Sequence, residues 1–337
     1  MFYKQINFIM KKRSHEVLFK NVIPSKTNKD VLPDLLEAGD VFKLENGVYG
    51  FGGIALELFD YFSNSIKESG FGLGATEYLY PSLISVKSIK KIDYVRRAPE
   101  ILNFVSHLNF VSHIKNDADI VGSFIERNKD AENKISMEDD VDTDFVISPA
   151  TCLHEYCKLQ NTDLILPEEK IIVGGASKCS RFEPESSEYS LGRLRDFTMR
   201  EIVCIGTPKE ARAFIKEAFL CAKNLLRVWG LDSLIAMGDD PFVIKQSRVE
   251  SDDFLEFFEL KYELKATLPF NESKLAIASL NYYKDFFGKS FNIKVNGKVA
   301  HTACFAFGIE RCVYAFLSQY GLDKSDWPKS VLSSLKS

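Results

Sequence analysis

The sequence predicts an α+β fold in which a central, mostly antiparallel β-sheet is flanked by helices. From residue 145 onward, strand-like segments follow one another with few helices between them. One long amphipathic helix interrupts this series at about 208–229. Consecutive strands with few intervening helices favour an antiparallel sheet over a doubly wound one. With 45% hydrophobic residues in a chain of 337, the sequence can bury a large core.

The first part of the chain is predicted to begin with a hairpin or strand that ends at the glycines of residues 50–53. A helix follows, and its apolar face consists of Leu58, Phe59, Phe62 and Ile66. Residues 85–108 have a helical rhythm, whereas residues 115–144 are polar and acidic. We expect the latter to form an exposed connection or insert helix within one large catalytic domain, residues 1–337.

The second part of the chain supplies most of the predicted sheet. Its strand-like segments are DFVISPATC, KIIVGGASKCSRFE, LRDFTMREIVCIG, FELKYELKATL, KLAIASLN, FNIKVN and HTACFAFG. The apolar stripe of the long helix is Ala211, Phe214, Ile215, Ala218, Phe219, Ala222, Leu225 and Leu226. After Gly308 the apolar spacing becomes helical again, which predicts a helix that begins directly after the last strand.

Composition limits the classes of function. A net charge of -4 argues against a protein that coats nucleic acid by bulk attraction to phosphate, and no apolar run is long enough for a membrane span. Seven scattered cysteines predict a reducing, cytoplasmic environment. One basic cluster is either a solvated face or a docking surface for an acidic partner: Lys87, Lys90, Lys91, Arg96 and Arg97.

A predicted hairpin collects side chains of different chemistry. Alternation along KCSRFE sends Arg181 and Glu183 to one strand face, and the returning strand brings Phe197 and Glu201 to the same surface. Together they offer a guanidinium group that can bind phosphate, carboxylates that can bind amines and an aromatic ring that can stack on a base. From the pattern alone, a surface hairpin held by salt bridges explains these residues equally well.

The segment HTACFAFGIER likewise combines residues of different chemistry, a cysteine and an arginine. Alternation predicts that Cys304 and Gly308 share one face, with Ala306 between them, while the apolar residues 303, 305 and 307 pack on the other. Arg311 falls in the first turn of the following helix, where the helix dipole is positive. An arginine is unfavourable there unless an anion lies between its guanidinium group and the N-terminus of the helix. Arg311 is therefore predicted to bind a phosphate group.

These two segments together resemble the second and third signature motifs of class II aminoacyl-tRNA synthetases, in RFE followed by RLRDF and in FGIER before a helix. The order and spacing of SPATCLHEY, LRDFTMREIVCIGT, DDPF, LKYEL, ASLNYYKDFFG and HTACFAFGIER are similar to the amino acid:[carrier protein] ligases. Members of that family are truncated homologues of zinc-dependent seryl-tRNA synthetases. The resemblance extends from about Asp144 to Pro328 and is looser over the first hundred residues.

The resemblance implies a zinc site at Cys152, Glu201 and Cys304. Three protein ligands leave one tetrahedral position open, and in the family that position takes the substrate's α-amino group. Glu201 and Cys304 are therefore also substrate-binding residues in this interpretation. Soft thiolate ligands suit Zn²⁺. The other five cysteines are interpreted as structural.

The resemblance also implies an ATP site. Arg181 contacts the α-phosphate and the reacting carboxylate, and Arg311 holds the opposite face of the adenine and the γ-phosphate; these two are the expected catalytic residues. The remaining expected contacts with ATP are Glu183, Arg193, Leu194, Phe197, Lys261, Ala276, Ile277, Ala278 and Ser279. Related synthetases commonly carry an acidic Mg²⁺ ligand on the strand that here reads KLAIASLN, where this chain has Ala276 or Ala278.

The implied function is ATP-dependent activation of a small amino acid and its transfer to the phosphopantetheine thiol of a carrier protein by a homodimeric enzyme. A seryl-tRNA synthetase is one alternative, although residues 1–144 show neither the sustained heptads nor the basic block of a tRNA-binding domain. A non-catalytic zinc-binding sensor or scaffold is another. The four residues Arg181, Glu183, Phe197 and Arg311 argue against that second alternative.

Overall fold

The structure is a computed structural model that describes residues 16–108, 141–182, 190–238 and 261–335, together with positions 122, 126, 127 and 129. Its strands are β1 Val17–Asn21, β2 Val41–Glu45, β3 Val48–Phe51, β4 Thr76–Leu79, β5 Leu83–Ser85, β6 Phe104–Leu108, β7 Val141–Ile147, β8 Asp163–Leu164, β9 Lys170–Ser180, β10 Asp196–Gly206, β11 Ser233–Met237, β12 Lys261–Leu268, β13 Ser273–Lys284, β14 Lys294–Val295, β15 Lys298–Val299 and β16 His301–Gly308.

The α-helices are α1 Leu32–Ala38, α2 Gly53–Gly72, α3 Val86–Lys91, α4 Tyr94–Arg97, α5 Cys152–Lys158, α6 Pro208–Val228, α7 Phe286–Phe291, α8 Ile309–Tyr320 and α9 Lys329–Leu335. Short 3₁₀ turns occupy Pro99–Ile101 and Lys324–Asp326. The start of α6 shows how the local sequence sets a boundary. Pro208 occupies the first turn, and the Thr207 hydroxyl accepts a hydrogen bond from the amide of Glu210 at 3.5 Å.

Eight strands form the central sheet in the order β1-β11-β12-β13-β16-β10-β9-β4. All neighbouring strands in it run antiparallel except β4 and β9, which are parallel. This confirms the predicted fold class. The long strands β9, β10, β13 and β16 are neighbours in this sheet, and their central residues are mostly buried.

Two apolar clusters cover the two faces of this sheet. The larger includes Phe62 of α2, Trp229, Phe305 and Phe316, and it fills the space between the sheet and helices α2, α6 and α8. The smaller contains Tyr156 of α5 and joins α5 and α7 to the opposite face. Strand β16 divides between them as its alternation predicts: Ala303, Phe305 and Phe307 belong to the larger cluster, and Cys304 and Ala306 to the smaller.

Three boundaries differ from those expected. The helical rhythm of residues 85–108 ends at Arg97, because Pro99 interrupts it and residues 104–108 instead pair with β7 as β6. The predicted strand FNIKVN contributes only Lys294–Val295, since Phe291 closes α7. Residues 141–144 of the expected insert belong to β7, while most of 115–140 lies outside the described residues.

The N-terminal hairpin is confirmed as β2 and β3, with Gly47 at a φ of 81° in the turn. In the part of the chain that the structure describes, no helix combines the length and apolar character needed to cross a membrane.

Candidate functional site

The candidate site lies on the face of the sheet covered by α5. Glu201 of β10 pairs with Gly175 on one side and with Ala306 on the other, and Ala306 pairs in turn with Ser279. Directly paired residues of antiparallel strands point to the same face. Glu201 is therefore flanked on both sides by residues with almost no side chain, which leaves room for a ligand against the backbone.

Cys152, Glu201 and Cys304 come together above this floor. The amides of Thr151 and Cys152 donate to Oε1 of Glu201 at 2.9 and 3.2 Å, and the Cys304 thiol donates to Oε2 at 3.2 Å. All three side chains are buried, and Glu201 is only 2% exposed. Cys152 reaches the cluster because α5 begins at this residue, with its N-terminal amides directed at the carboxylate.

Both thiols are held in their protonated form by these surroundings. The hydrogen bond between the two thiols raises the pKa of Cys152 well above its ordinary value, and burial and the Glu201 charge raise it further. For Cys304 the hydrogen bond with Cys152 lowers the pKa, but burial and Glu201 outweigh it, so the net shift is upward. All seven cysteines lie within the described ranges, and none forms a disulfide.

The donor set of this cluster fits a soft divalent cation, because it offers two sulfur ligands and one carboxylate in a dry environment. As arranged, the Glu201 oxygens face two amides and a thiol. Accordingly, among the described residues no group of three or more His, Cys, Asp or Glu side chains has the arrangement of a metal site. A metal would have to replace the thiol protons that now complete these hydrogen bonds.

Polar groups of β13 line Cys304 on the other side. Nδ2 of Asn281 donates to Sγ of Cys304 at 3.7 Å, and the Tyr283 hydroxyl lies 4.0 Å from the same sulfur. An amide Nδ2 can only donate, so Sγ of Cys304 acts as an acceptor toward it. The hydrogen bond from Asn281 favours the thiolate and partly offsets the upward shift in the pKa of Cys304.

Arg181 lies beyond the strand end of β9, at the opposite end of the site from Cys304. Its Nε donates to the carbonyl of Pro149 at 2.8 Å, and its guanidinium carbon lies 5.5 Å from the ring centre of Phe197. Pro149 precedes the loop that leads into α5, so the same segment anchors Arg181 and supplies Cys152. The predicted juxtaposition of Arg181 and Phe197 is present, while Glu183 lies outside the described residues.

Phe197 lies on the predicted face. The pairing of β10 with β9 runs in unbroken register from Asp196 to Gly206, so Phe197 alternates to the same side as Met199 and Glu201. Its ring also packs against the larger core cluster, whereas Met199 packs against the smaller one. The pairing of β10 with β16 begins only at Met199 and Gly308, so Phe197 has a strand partner on one side only.

Arg311 occupies the first turn of α8, as predicted, and its Nη1 donates to the carbonyl of Ala276 at 3.0 Å. The preceding residue, Glu310, is 3% exposed and accepts the Thr198 amide with both oxygens, at 2.8 and 2.9 Å. Lys178 lies 3.4 Å from the same carboxylate. Burial raises the pKa of Glu310, and the contacts with Lys178 and Thr198 partly offset this. Sequence reasoning missed Glu310, although its position directly before Arg311 was the available signal.

The remaining expected ATP contacts are distributed around this end. Leu194 is buried, whereas Arg193 is exposed in the short turn that leads into β10. Lys261 begins β12 and lies 3.3 Å from Glu263. Residues 276–279 belong to β13, beside β16.

A second group that the sequence did not reveal adjoins Cys152. The Tyr80 hydroxyl donates to Glu155 at 2.7 Å, and the Lys158 ammonium donates to the same carboxylate at 3.2 and 3.3 Å. The side chain of Glu155 is fully buried. The ring of Tyr80 stacks on His154, with centroids 5.6 Å apart. These residues come from separate parts of the chain, so no local sequence motif predicts the group.

Comparison with known proteins gives consistent results. Residues 135–320 match the model of the family described as tRNA synthetase class II core domain (G, H, P, S and T). The chain is 31% identical over 259 residues to amino acid–[acyl-carrier-protein] ligase 1 of Bradyrhizobium diazoefficiens, covering 77% of this chain and 76% of the relative. It is 28% identical to the type-2 serine–tRNA ligase of Methanococcus aeolicus, covering 77% of this chain and 50% of that protein.

Among solved structures, the M. kandleri SerRS in complex with A. aeolicus tRNASec superposes with a TM-score of 0.81 at 21% identity. That match covers 97% of this chain and 65% of the other. The seryl-tRNA synthetase from Pyrococcus horikoshii complexed with ATP gives a TM-score of 0.66 at 13% identity, covering all of this chain and 68% of the other. These likenesses support the fold. The chain spans about half the length of the type-2 serine–tRNA ligase it matches.

Proposed function

The chain belongs to the class II tRNA synthetase core family, within the group that includes amino acid–carrier-protein ligases and type-2 seryl-tRNA ligases, and from this we propose that it is an amino acid:[carrier protein] ligase. It activates a small amino acid with ATP and transfers the aminoacyl group to the phosphopantetheine thiol of a carrier protein. The 31% identity to a ligase of that name over most of both chains supports this choice.

One observation about β10 and β16 carries the proposal. Glu201 and Cys304 lie near the middle of this strand pair, and Phe197 and Arg311 lie at one end of it. Phe197 and Glu201 are four residues apart along β10, which corresponds to about 13 Å at the rise of an extended strand. An aminoacyl-adenylate placed along the pair has its amine at Glu201 and its adenine at Phe197.

The first step forms a bond between the amino acid carboxylate and the α-phosphorus of ATP, and the bond to pyrophosphate breaks. Arg181 neutralises charge at the α-phosphate and Arg311 at the γ-phosphate, so no protein nucleophile is needed. In the second step the carrier thiol, after losing its proton, attacks the carbonyl carbon, and AMP leaves. Glu183, Arg193, Leu194, Lys261 and the β13 backbone at 276–279 complete the ATP site in this proposal.

Cys152, Glu201 and Cys304 are the residues that would hold Zn²⁺. The metal would supply a Lewis-acid position for the substrate's amine. The two thiols and the carboxylate would give up their present hydrogen bonds to one another as ligands. Substrates without a free amine would be excluded at this end, and the amide of Asn281 donates to the sulfur of Cys304.

We propose further that the protein works in the cytoplasm as a homodimer without nucleic acid as a substrate. The dimer is supported by β4, the last strand of the central sheet, whose second edge has no strand partner among the described residues. Its last residue, Leu79, is 89% exposed. An unpaired strand edge that ends in an exposed leucine offers a site for association with a second copy.

The decisive experiment has two arms. Purified protein is incubated with ATP, labelled pyrophosphate and each amino acid in turn, and exchange is expected for one or a few of them. The aminoacyl group is then offered to a holo-carrier protein and, separately, to total tRNA. Loading of the carrier alone supports the proposal, charging of tRNA alone supports the synthetase alternative, and no exchange with any amino acid points to a sensor.

A matched pair of variants tests the zinc site. Cys304→Ala removes a proposed ligand, and Cys312→Ala removes an equally buried thiol that lies in the other core cluster, on α8. We expect Cys304→Ala to lose bound zinc and amino-acid-dependent exchange together, while Cys312→Ala keeps both. Full activity in a zinc-free Cys304→Ala protein contradicts the amine-binding role.

A further inference from the structure

We propose that Tyr80 is the wall that limits the size of the substrate's side chain. This inference rests on the proposed function and deepens it, because it concerns which amino acids the same site accepts. The relevant surface is the aromatic ring of Tyr80 where it lies beside Glu201 on the floor of the site.

The ring lies directly on the backbone of β9. The main-chain amide of Tyr80 donates to the carbonyl of Ala176 at 3.1 Å. This hydrogen bond fixes Tyr80 alongside β9, just beyond the end of β4. A Cβ added to Gly175 would overlap the ring carbons of Tyr80, so only glycine at that position lets the ring approach this closely. Gly175 pairs with Glu201 in register, and the ring therefore borders the amine-binding end of the site.

The hydroxyl of Tyr80 locks the ring in place. It donates to Glu155 at 2.7 Å, and Glu155 is fully buried on α5, the helix that begins with Cys152. The ring also stacks on Tyr78, with centroids 6.0 Å apart, and on His154, with centroids 5.6 Å apart. A wall fixed by three contacts cannot move aside for a larger ligand at low cost.

The ring is half-buried, so part of it remains available to a ligand. An amino acid whose amine is held at Glu201 carries its side chain one carbon away, within reach of this ring. The polar end of Tyr80 is already bonded to Glu155, and the charge of Glu155 is matched by Lys158. The wall thus offers an apolar surface, which suits a small uncharged side chain.

The test uses amino-acid-dependent pyrophosphate exchange with glycine, alanine, serine, 2-aminobutyrate, valine and leucine. The quantity compared is the ratio of kcat/KM for a substrate one or two methylene groups larger to kcat/KM for the preferred substrate. Tyr80→Ala is expected to raise this ratio by about tenfold or more, the range that one methylene group is worth in an apolar pocket. Tyr80→Phe keeps the ring on Gly175 and its stacking partners but removes its hydrogen bond, so its ratio should change much less than that of Tyr80→Ala.

Tyr78→Ala is the matched control, because it removes a ring from the same stack that does not rest on Gly175. Its substrate ratio should stay close to that of the wild type, because the contact with Gly175 and the hydrogen bond to Glu155 still hold the Tyr80 ring. Tyr80→Leu carries the test if Tyr80→Ala fails to fold, since it removes the ring but keeps apolar bulk beside β9.

The outcomes separate the two proposals. Absence of exchange by the wild type with every amino acid overturns the proposed function itself. Wild-type exchange together with an unchanged substrate ratio in folded Tyr80→Ala or Tyr80→Leu overturns only the assignment of Tyr80. A wild type that prefers leucine overturns it as well.

Discussion

Removing the carboxylate of Glu310 should weaken both the fold and the ATP site. The carboxylate is 3% exposed and accepts the Thr198 amide at 2.8 and 2.9 Å. A hydrogen bond to a charged group contributes about 1.5–3 kcal/mol, and an amide left without a partner costs about 1–3 kcal/mol. The contact with Lys178 adds little, because that side chain is 51% exposed.

We therefore expect Glu310→Ala to lower the free energy of unfolding by about 3 kcal/mol. Glu310→Gln keeps one acceptor oxygen in place, so it should lose only about 1 kcal/mol. Lys178→Met is the control and should change stability by less than about 1 kcal/mol. Urea unfolding of the four proteins, with equal m-values, gives these differences directly.

The same variants test whether Glu310 also positions the ATP site. Thr198 follows Phe197, and Glu310 precedes Arg311, so one carboxylate links the two proposed adenine contacts. Pyrophosphate exchange should show a higher KM for ATP in folded Glu310→Ala than in the wild type, with the KM for the amino acid nearly unchanged. Wild-type stability and wild-type KM for ATP in Glu310→Ala would refute this reasoning.

Three further predictions follow from packing and charge. Gly288→Ala should destabilise by about 1–3 kcal/mol, because its Cβ would overlap a main-chain carbonyl, whereas Gly72→Ala meets open space and should be neutral or slightly stabilising in thermal unfolding. Arg200→Met should lower the free energy of unfolding by about 3 kcal/mol, because it leaves the Glu77 carboxylate without its partner. The double variant with Glu77→Met should recover part of this loss in the same unfolding assay. Burial raises the pKa of Glu310 above its ordinary value of 4.5, so the folded state binds the proton of this carboxyl group more tightly than the unfolded state does. The free energy of unfolding of the wild type should therefore fall relative to that of Glu310→Gln as the pH of urea titrations rises above 4.5.

Patterns of short range could be predicted from the sequence. The alternation of residues 303–307 placed Cys304 and Phe305 on opposite faces, because a strand buried on both sides still has a period of two. The switch to helical spacing after Gly308 located Arg311 in the first turn of α8. The long helix was predicted to within one residue of its observed end, Val228, since its apolar stripe is unbroken.

Features that depend on tertiary pairing could not be predicted in this way. Residues 104–108 form a strand because β7 is available to pair with them, which no local pattern indicates. The contact between Tyr80 and Glu155 joins residues 75 positions apart. The contact of Phe197 with the larger core cluster arises where β16 no longer pairs with β10, beyond Gly308, a limit that only the assembled sheet sets.

The cluster of Cys152, Glu201 and Cys304 also has a consequence for folding. Glu201 contacts residues 49 positions before it and 103 positions after it, so the cluster exists only when β10, β16 and the start of α5 have all reached their final register. Both cysteines are at most 3% exposed, and fraying of a terminus does not uncover them. The rate at which a thiol reagent labels these two cysteines therefore reports how often the contacts between β10, β16 and the start of α5 open.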